Sequence, residues 1–383
     1  MEWFEEAKRN AAIFEEWQGK NIVCYGAGSK GRQSIQILRE HGIEPAVVCD
    51  GNSALWGQSC EGVTILGYDE MKKKFDDYTI LLTCVWENAL SILEFLQSRQ
   101  ESHPIVFFAN PYKVETKVLS LDEVEKQRDA LDESYRLLAD DESRRLFVNF
   151  LRWKMTGDIS ATATRRNNSW LEVFDNNLIP RRPDYTYVDV GAYTGDTLIR
   201  FLAFSRGQHK KILCYEPDKT SFHELEKMVD RCRLYDVENY NIGLLSTGGE
   251  QTFFSPGNNT VYESSNFFRD VNVSIKNDLI EGGVQGESHT VKISTLDECL
   301  ADYRNDAIFL KIDALASEGE IIYGASNVLA IASPVVVMEY GTHSEYMADT
   351  IPFMHRMNSK YKFYLRQMYS GDNSRTFLYV VAE

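Results

Sequence analysis

Asp189-Val190-Gly191-Ala192-Tyr193-Thr194-Gly195-Asp196, followed downstream by Glu216-Pro217, decides how this chain reads. Tyr187-Val188-Asp189-Val190 is a short β-branched run, which predicts a buried strand. Gly191 and Gly195 remove side-chain bulk where the backbone must turn and approach a ligand. Thr197, Leu198, Ile199, Phe201 and Leu202 then recur at helical spacing. Lys211-Ile212-Leu213-Cys214-Tyr215 supplies the next strand and ends in Glu216, 21 residues after Gly195. A carboxylate at that spacing accepts hydrogen bonds from two ribose hydroxyls. The sequence of strand, glycine turn, helix, strand and acid is the layout of a nucleoside site.

The turn is Gly-x-x-x-Gly rather than Gly-x-Gly-x-x-Gly, so a pyrophosphate is not its expected guest. The amino-acid tail of a sulfonium cofactor, S-adenosylmethionine, fits it better. An ordinary βαβ turn without a ligand is the plain alternative.

A second glycine turn stands near the N-terminus. Asn21–Tyr25 reads as a strand, Gly26-Ala27-Gly28-Ser29-Lys30-Gly31 as a Gly-x-Gly-x-x-Gly turn, and 30–41 as a helix. Pro45–Cys49 is a second strand ending at Asp50, 19 residues after Gly31. Gly26, Gly28, Gly31 and Asp50 therefore form a candidate second site for NAD, another nucleotide or a nucleotide-linked sugar. The unit is short and offers only half of a dinucleotide site. No Tyr-x-x-x-Lys constellation for hydride transfer follows it, and a purely structural role is the alternative.

Around these turns the chain alternates strands and helices, which predicts an α/β fold with two Rossmann-like units. The first runs over 1–112, with strands at Tyr78–Thr83 and Pro104–Phe108 and a helix at 87–99 between them. Residues 2–18 read as one amphipathic helix for core packing or a homo-oligomer contact. Residues 113–180 form a helical connector, with a mobile loop at 157–170. The second unit covers 181–383. Short strands are expected at Gln251–Phe254 and Thr290–Ile293. Ala307–Ile312 and Pro334–Met338 end at Asp313 and Glu339, and Tyr361–Arg366 pairs antiparallel with Thr376–Val381.

Net charge is −16, from 41 basic and 57 acidic residues. That argues against nucleic acid or an anionic membrane surface as partner. No run approaches the roughly 18 apolar residues of a membrane helix. Cys24, Cys49, Cys60, Cys84, Cys214, Cys232 and Cys299 are scattered, several in apolar strands, as in a protein of the reducing cytoplasm. No His/Asp/Glu cluster at metal-ligand spacing is visible, so no metal is expected.

Over residues 136–383 the chain resembles the FkbM family of S-adenosylmethionine-dependent methyltransferases. The resemblance rests on Leu137–Ser143, Thr156-Gly157-Asp158-Ile159, Tyr187–Thr197, Tyr215-Glu216-Pro217-Asp218, Thr295–Glu298, Phe309–Asp313, Tyr361–Arg366 and Phe377-Leu378-Tyr379, in that order. One departure stands out. The family pattern Lys-Ile/Met-Asp-x-Glu-Gly-x-Glu reads here Lys311-Ile312-Asp313-Ala314-Leu315-Ala316-Ser317-Glu318, so Leu315 and Ala316 replace Glu-Gly, with Glu318 and Glu320 as substitutes for the missing acid.

The resemblance implies a class I methyltransferase fold, a mostly parallel sheet closed by an antiparallel C-terminal hairpin. It implies methylation of a hydroxyl on a sugar, polysaccharide or natural product. Asp189, Gly191, Ala192, Tyr193 and Gly195 would wrap the methionine part of the cofactor, Glu216 the ribose, and Asn241 and Ile242 the adenine. Asp313 and His343 are the candidate bases, Asp313 alternatively orienting the cofactor amine. Tyr364 and Arg366 are candidates for the acceptor pocket. Two other readings stand beside this one. The first is a non-catalytic scaffold with a degenerate methyltransferase domain, suggested by Leu315-Ala316. The second is an NAD-dependent oxidoreductase run by the first unit.

Overall fold

A computed structural model describes residues 2–84, 86–108, 119–158, 170–174, 177–256, 266–267, 286–314, 317–340, 344–370 and 373–383. The chain divides into two units. One comprises Met1–Arg128, Arg144–Arg166 and Tyr369–Ser374, and the other Asp129–Ser143, Asn167–Met368 and Arg375–Glu383.

The β-branched runs of the first unit form β1 (Ile22–Tyr25), β2 (Val47–Cys49), β3 (Ser59–Cys60), β4 (Val63–Leu66), β5 (Thr79–Leu82) and β6 (Ile105–Phe107). They lie in the order β3-β4-β2-β1-β5-β6, parallel except for the β3–β4 pair. β1 is buried along its whole length, as a parallel strand covered on both faces must be. Its alternate residues feed different cores. Ile22 and Cys24 pack with Trp17 and Ile35, while Val23 and Tyr25 pack with Ile80 and Leu96. The β3–β4 hairpin and the helix Tyr68–Lys74 were not anticipated from the sequence.

The expected single helix over 2–18 is two, Glu2–Ala11 and Ile13–Trp17. They serve different aromatic groups. Trp3 meets Phe147 edge-on at 6.2 Å, whereas Phe14 and Trp17 close on Phe108 at 6.4 and 5.8 Å.

The second unit holds β7 (Tyr185–Val190), β8 (Lys211–Tyr215), β9 (Val237–Tyr240), β10 (Gly243–Leu244), β11 (Gly249–Pro256), β12 (Asn266–Phe267), β13 (Gly286–Ser294), β14 (Ala307–Ile312), β15 (Val335–Glu339), β16 (Tyr361–Ser370) and β17 (Asn373–Ala382). Seven of them form a sheet in the order β16-β17-β15-β14-β7-β8-β9. β15, β14, β7, β8 and β9 are parallel, and β17 runs antiparallel to β15. A smaller sheet, β10-β13-β11-β12, takes the polar stretch read as short strands and loops.

The main sheet is held by an aromatic core. Phe174, Tyr187, Phe201, Phe204 and Phe309 meet within it, with Tyr187 stacked on Phe201 at 3.9 Å. Strand order reverses between β7 and β14, so the crevice beyond their carboxyl ends is the expected ligand position in an open α/β sheet.

Candidate active site

Asp189 lies on β7 directly opposite Lys311 of β14 in the strand register. Both side chains are buried, with Lys311 Nζ 3.0 Å from Asp189 Oδ1. Lys311 also donates to the Gly191 carbonyl at 3.0 Å. The other Asp189 oxygen accepts from Thr197 Oγ1 at 2.6 Å and from the Tyr187 hydroxyl at 3.2 Å. Burial alone would lower the Lys311 ammonium, but Asp189, Asp313 and Asp196 around it raise it; burial likewise raises the Asp189 carboxyl, against Lys311 and Thr197, which favour its charged form. Asp189 therefore anchors the strand end and the turn from beneath.

Gly191 is the residue that lets the turn form. Its φ is +73°, and a Cβ there would sit 2.0 Å from the Asp313 carbonyl oxygen. A side chain is excluded both by conformation and by space. The amides of Gly191 and Ala192 donate to the Tyr215 carbonyl at 3.0 and 3.1 Å. Tyr193 follows at φ +49°, and Gly195 caps the helix Asp196–Ser205.

Glu216, buried at the end of β8, accepts from the Tyr193 amide at 2.8 Å through Oε2 and from the Asp218 amide at 2.8 Å through Oε1. Burial pushes its carboxyl up to about 8, against these two donors, which favour the ionised form. Asn241, just past β9, donates to the carbonyls of Glu216 and Pro217 at 2.8 and 3.1 Å, tying the two strand ends together, with Ile242 next to it.

Asp313 follows β14 and Glu339 ends β15. Arg375 of β17 donates through Nη2 to Asp313, and through the same nitrogen to Glu339 at 2.8 Å. Glu318, at the start of the helix Glu318–Tyr323, accepts from the Ala314 amide at 3.0 Å. Carboxylate oxygens of Asp313, Glu318 and Glu339 all lie within 4.8 Å of one another. Such oxygen donors suit a divalent cation, and Arg375 supplies positive charge to two of them. Burial first, and then the neighbouring Glu339 charge, push the Glu318 carboxyl up to about 7. The sequence reading found no acid cluster because this one is assembled from three separate segments.

The turn residues, Glu216, Asn241 and Asp313 thus share the carboxyl ends of neighbouring strands. His343, Leu315 and Ala316 lie outside the described residues, as does the expected loop at 157–170 apart from its ends. Glu320 faces elsewhere, accepting from the Ser246 hydroxyl. Arg366, expected in the acceptor pocket, has partners on the helical segment. It pairs with Asp140 at 2.6 Å and donates to Ser143, joining the helical segment to β16. Tyr364 packs on the core. Sequence reasoning gave no role to Lys311 or Arg375. A lone charge inside Phe309-Leu310-Lys311-Ile312 was the signal available for the first.

No curated protein matches the chain. Among solved structures, the methyltransferase FkbM from Methylobacillus flagellatus KT superposes at a TM-score of 0.70, covering 99% of this chain and 98% of its own at 14% identity, which shows a shared fold. The O-methyltransferase from Bacillus cereus, in complex with SAH, matches at 0.31 and 11% identity over 52% of this chain and 75% of its own. The precorrin-6y C5,15-methyltransferase from Geobacter metallireducens GS-15 matches at 0.31 and 10% identity over 52% and 80%. A family model described as the methyltransferase FkbM domain matches residues 189–361. That span opens on Asp189 and takes in the glycine turn, Glu216, Asp313, Glu318 and Glu339, so the chain carries a methyltransferase FkbM domain over these residues.

Proposed function

We propose that the chain methylates a hydroxyl group of a sugar, polysaccharide or natural-product acceptor. The methyl donor of the methyltransferase class is S-adenosylmethionine, whose sulfonium supplies an activated methyl group. The residues of the second unit fit it. Gly191 lets the turn close against the Asp313 carbonyl at the strand ends, and Glu216 keeps lone pairs beyond its two backbone donors for ribose hydroxyls. In this reading Asp189, Gly191, Ala192, Tyr193 and Gly195 hold the methionine part, and Asn241 and Ile242 border the adenine.

The observation that carries the choice of a hydroxyl acceptor is the carboxylate group beside Asp313. A hydroxyl nucleophile must give up its proton during transfer, and a base held in place removes it. Arg375 favours an ionised Asp313, which suits it to orient a cationic amine. Glu318, buried and facing the Glu339 charge, is suited to hold the proton at its carboxyl. His343 is the alternative base.

Calorimetry with S-adenosylhomocysteine and transfer of radiolabelled methyl groups to oligosaccharide acceptors test the reading. Binding lost in Asp189→Ala and label found on acceptor oxygen support it. Label only on nitrogen or carbon acceptors would overturn the hydroxyl assignment.

A further inference from the structure

We propose that the first unit is a second ligand site, binding a nucleoside diphosphate, free or carrying a sugar, at Gly26–Gly31 and Asp50. The inference rests on a correspondence inside the molecule. In the second unit the Gly191 amide donates to Tyr215, the residue before the acid Glu216. In the first unit the Gly26 amide donates at 2.8 Å to Cys49, the residue before Asp50. Glu216 takes one amide from the turn and one from the residue two positions on. Asp50 does the same, accepting from Ala27 at 2.8 Å through Oδ2 and from Asn52 at 2.8 Å through Oδ1.

The close approach is repeated as well. A Cβ on Gly191 would strike the backbone just after β14, and a Cβ on Gly26, at φ +124°, would meet the Thr83 carbonyl just after β5 at 2.8 Å. β5 stands beside β1 as β14 stands beside β7, so both turns open at the point where strand order reverses. The arrangement that marks the nucleoside site of the methyltransferase domain is therefore built twice.

The two sites differ in charge, and the difference names the ligand. The helix after the second turn opens with Asp196. The helix Ser29–Glu40 opens with Ser29-Lys30-Gly31-Arg32 and has no acid in its first turn. A helix N-terminus whose first turn carries no acid favours a bound anion. Gly28 has nothing within 4 Å of a Cβ position, which leaves room beside the turn for a phosphate.

Trp56 completes the site. Its ring is 46% exposed, yet its Nε1 donates to the Asp50 carbonyl at 2.8 Å and its face lies on Gly67. A fixed, half-exposed indole next to the ribose acid is a platform for a base. Only one half of a dinucleotide fold is present, which favours a mononucleotide over NAD.

The test is calorimetry on the full chain with ADP, UDP, UDP-glucose and NAD. Saturating S-adenosylhomocysteine is present throughout, so the second unit's cradle is blocked and any failure of the methyltransferase reading shows separately. A diphosphate nucleotide is expected to bind with Kd below about 1 mM. Gly28→Asp is expected to weaken that binding about tenfold or more. It places a good helix cap in open space, so its melting temperature should match or exceed that of the parent. UDP-glucose stronger than UDP identifies a sugar-carrying ligand, and equal affinities a free nucleotide; both sustain the site. No binding by any of the four, or unchanged binding in folded Gly28→Asp, overturns it.

Discussion

Lys311 and Asp189 face each other across neighbouring strands, 3.0 Å apart and both buried, directly beneath the glycine turn. Removing one charge leaves the other unpaired in the interior. Lys311→Met should cost about 3–5 kcal/mol of stability, measured by urea unfolding. Adding Asp189→Asn should recover part of that loss. Equal instability of the single and double variants would show that the ionic pairing is not what matters.

Glu318 makes the second unit sensitive to base. Its folded carboxyl stands at about 7 against an ordinary 4.5. The folded state therefore binds the extra proton between these values, and stability falls as pH rises through that window. The contribution is fully present below 4.5 and lost above 7, on the order of 3 kcal/mol. Glu318→Gln, which keeps the shape without the charge, should flatten the profile. A melting-temperature series from pH 4.5 to 8.5 checks this, and an unchanged slope in the variant would refute it.

Cofactor affinity should run the other way with pH. The Glu216 carboxyl stands at about 8, and ribose hydroxyls donate best to its ionised form. S-adenosylhomocysteine should bind more tightly as pH rises through 8, and Glu216→Gln should bind weakly at every pH. Titration calorimetry between pH 6.5 and 9 distinguishes this from a flat response.

In the first unit, Glu101 accepts from the hydroxyls of Tyr68 and Tyr78 at 2.6 and 2.7 Å. Burial alone would raise its carboxyl, yet these donors and His103 hold it well below the usual range. Its stabilising effect is present above the unfolded value near 4.5 and is lost as pH falls. Glu101→Gln should lower stability by about 1–3 kcal/mol at neutral pH, and by less in acid, read by thermal melting at pH 7 and pH 4.

The parallel strands and both glycine turns were legible because their signals are local. Ala307–Ile312 is a strand with the limits read from its β-branched run, and Glu216 sits where the spacing from Gly195 put it. β3 escaped because two residues, Ser59 and Cys60, carry no period of their own and are held by pairing with β4. The partners of the acids were harder still. Arg375 reaches Asp313 across 62 positions of sequence, and nothing in Asn373-Ser374-Arg375-Thr376 announces a partly buried guanidinium. Asp140 and Arg366 stand 226 positions apart, so their pairing left no local signal.

The placement of Arg375 bears on how the chain is made. β17 follows β14, β15 and β16 in the chain, yet it lies inside the sheet between β15 and β16. Until it docks, the acids at the ends of β14 and β15 lack the guanidinium that draws them together. Vectorial synthesis would otherwise let an N-terminal portion settle first. Here the strand ends that shape the site wait on a strand well downstream, so a chain cut before Arg375 would carry the glycine turn and Glu216 while its carboxylates repelled one another. The acids at the ends of β14 and β15 are held together only once β17 is in place.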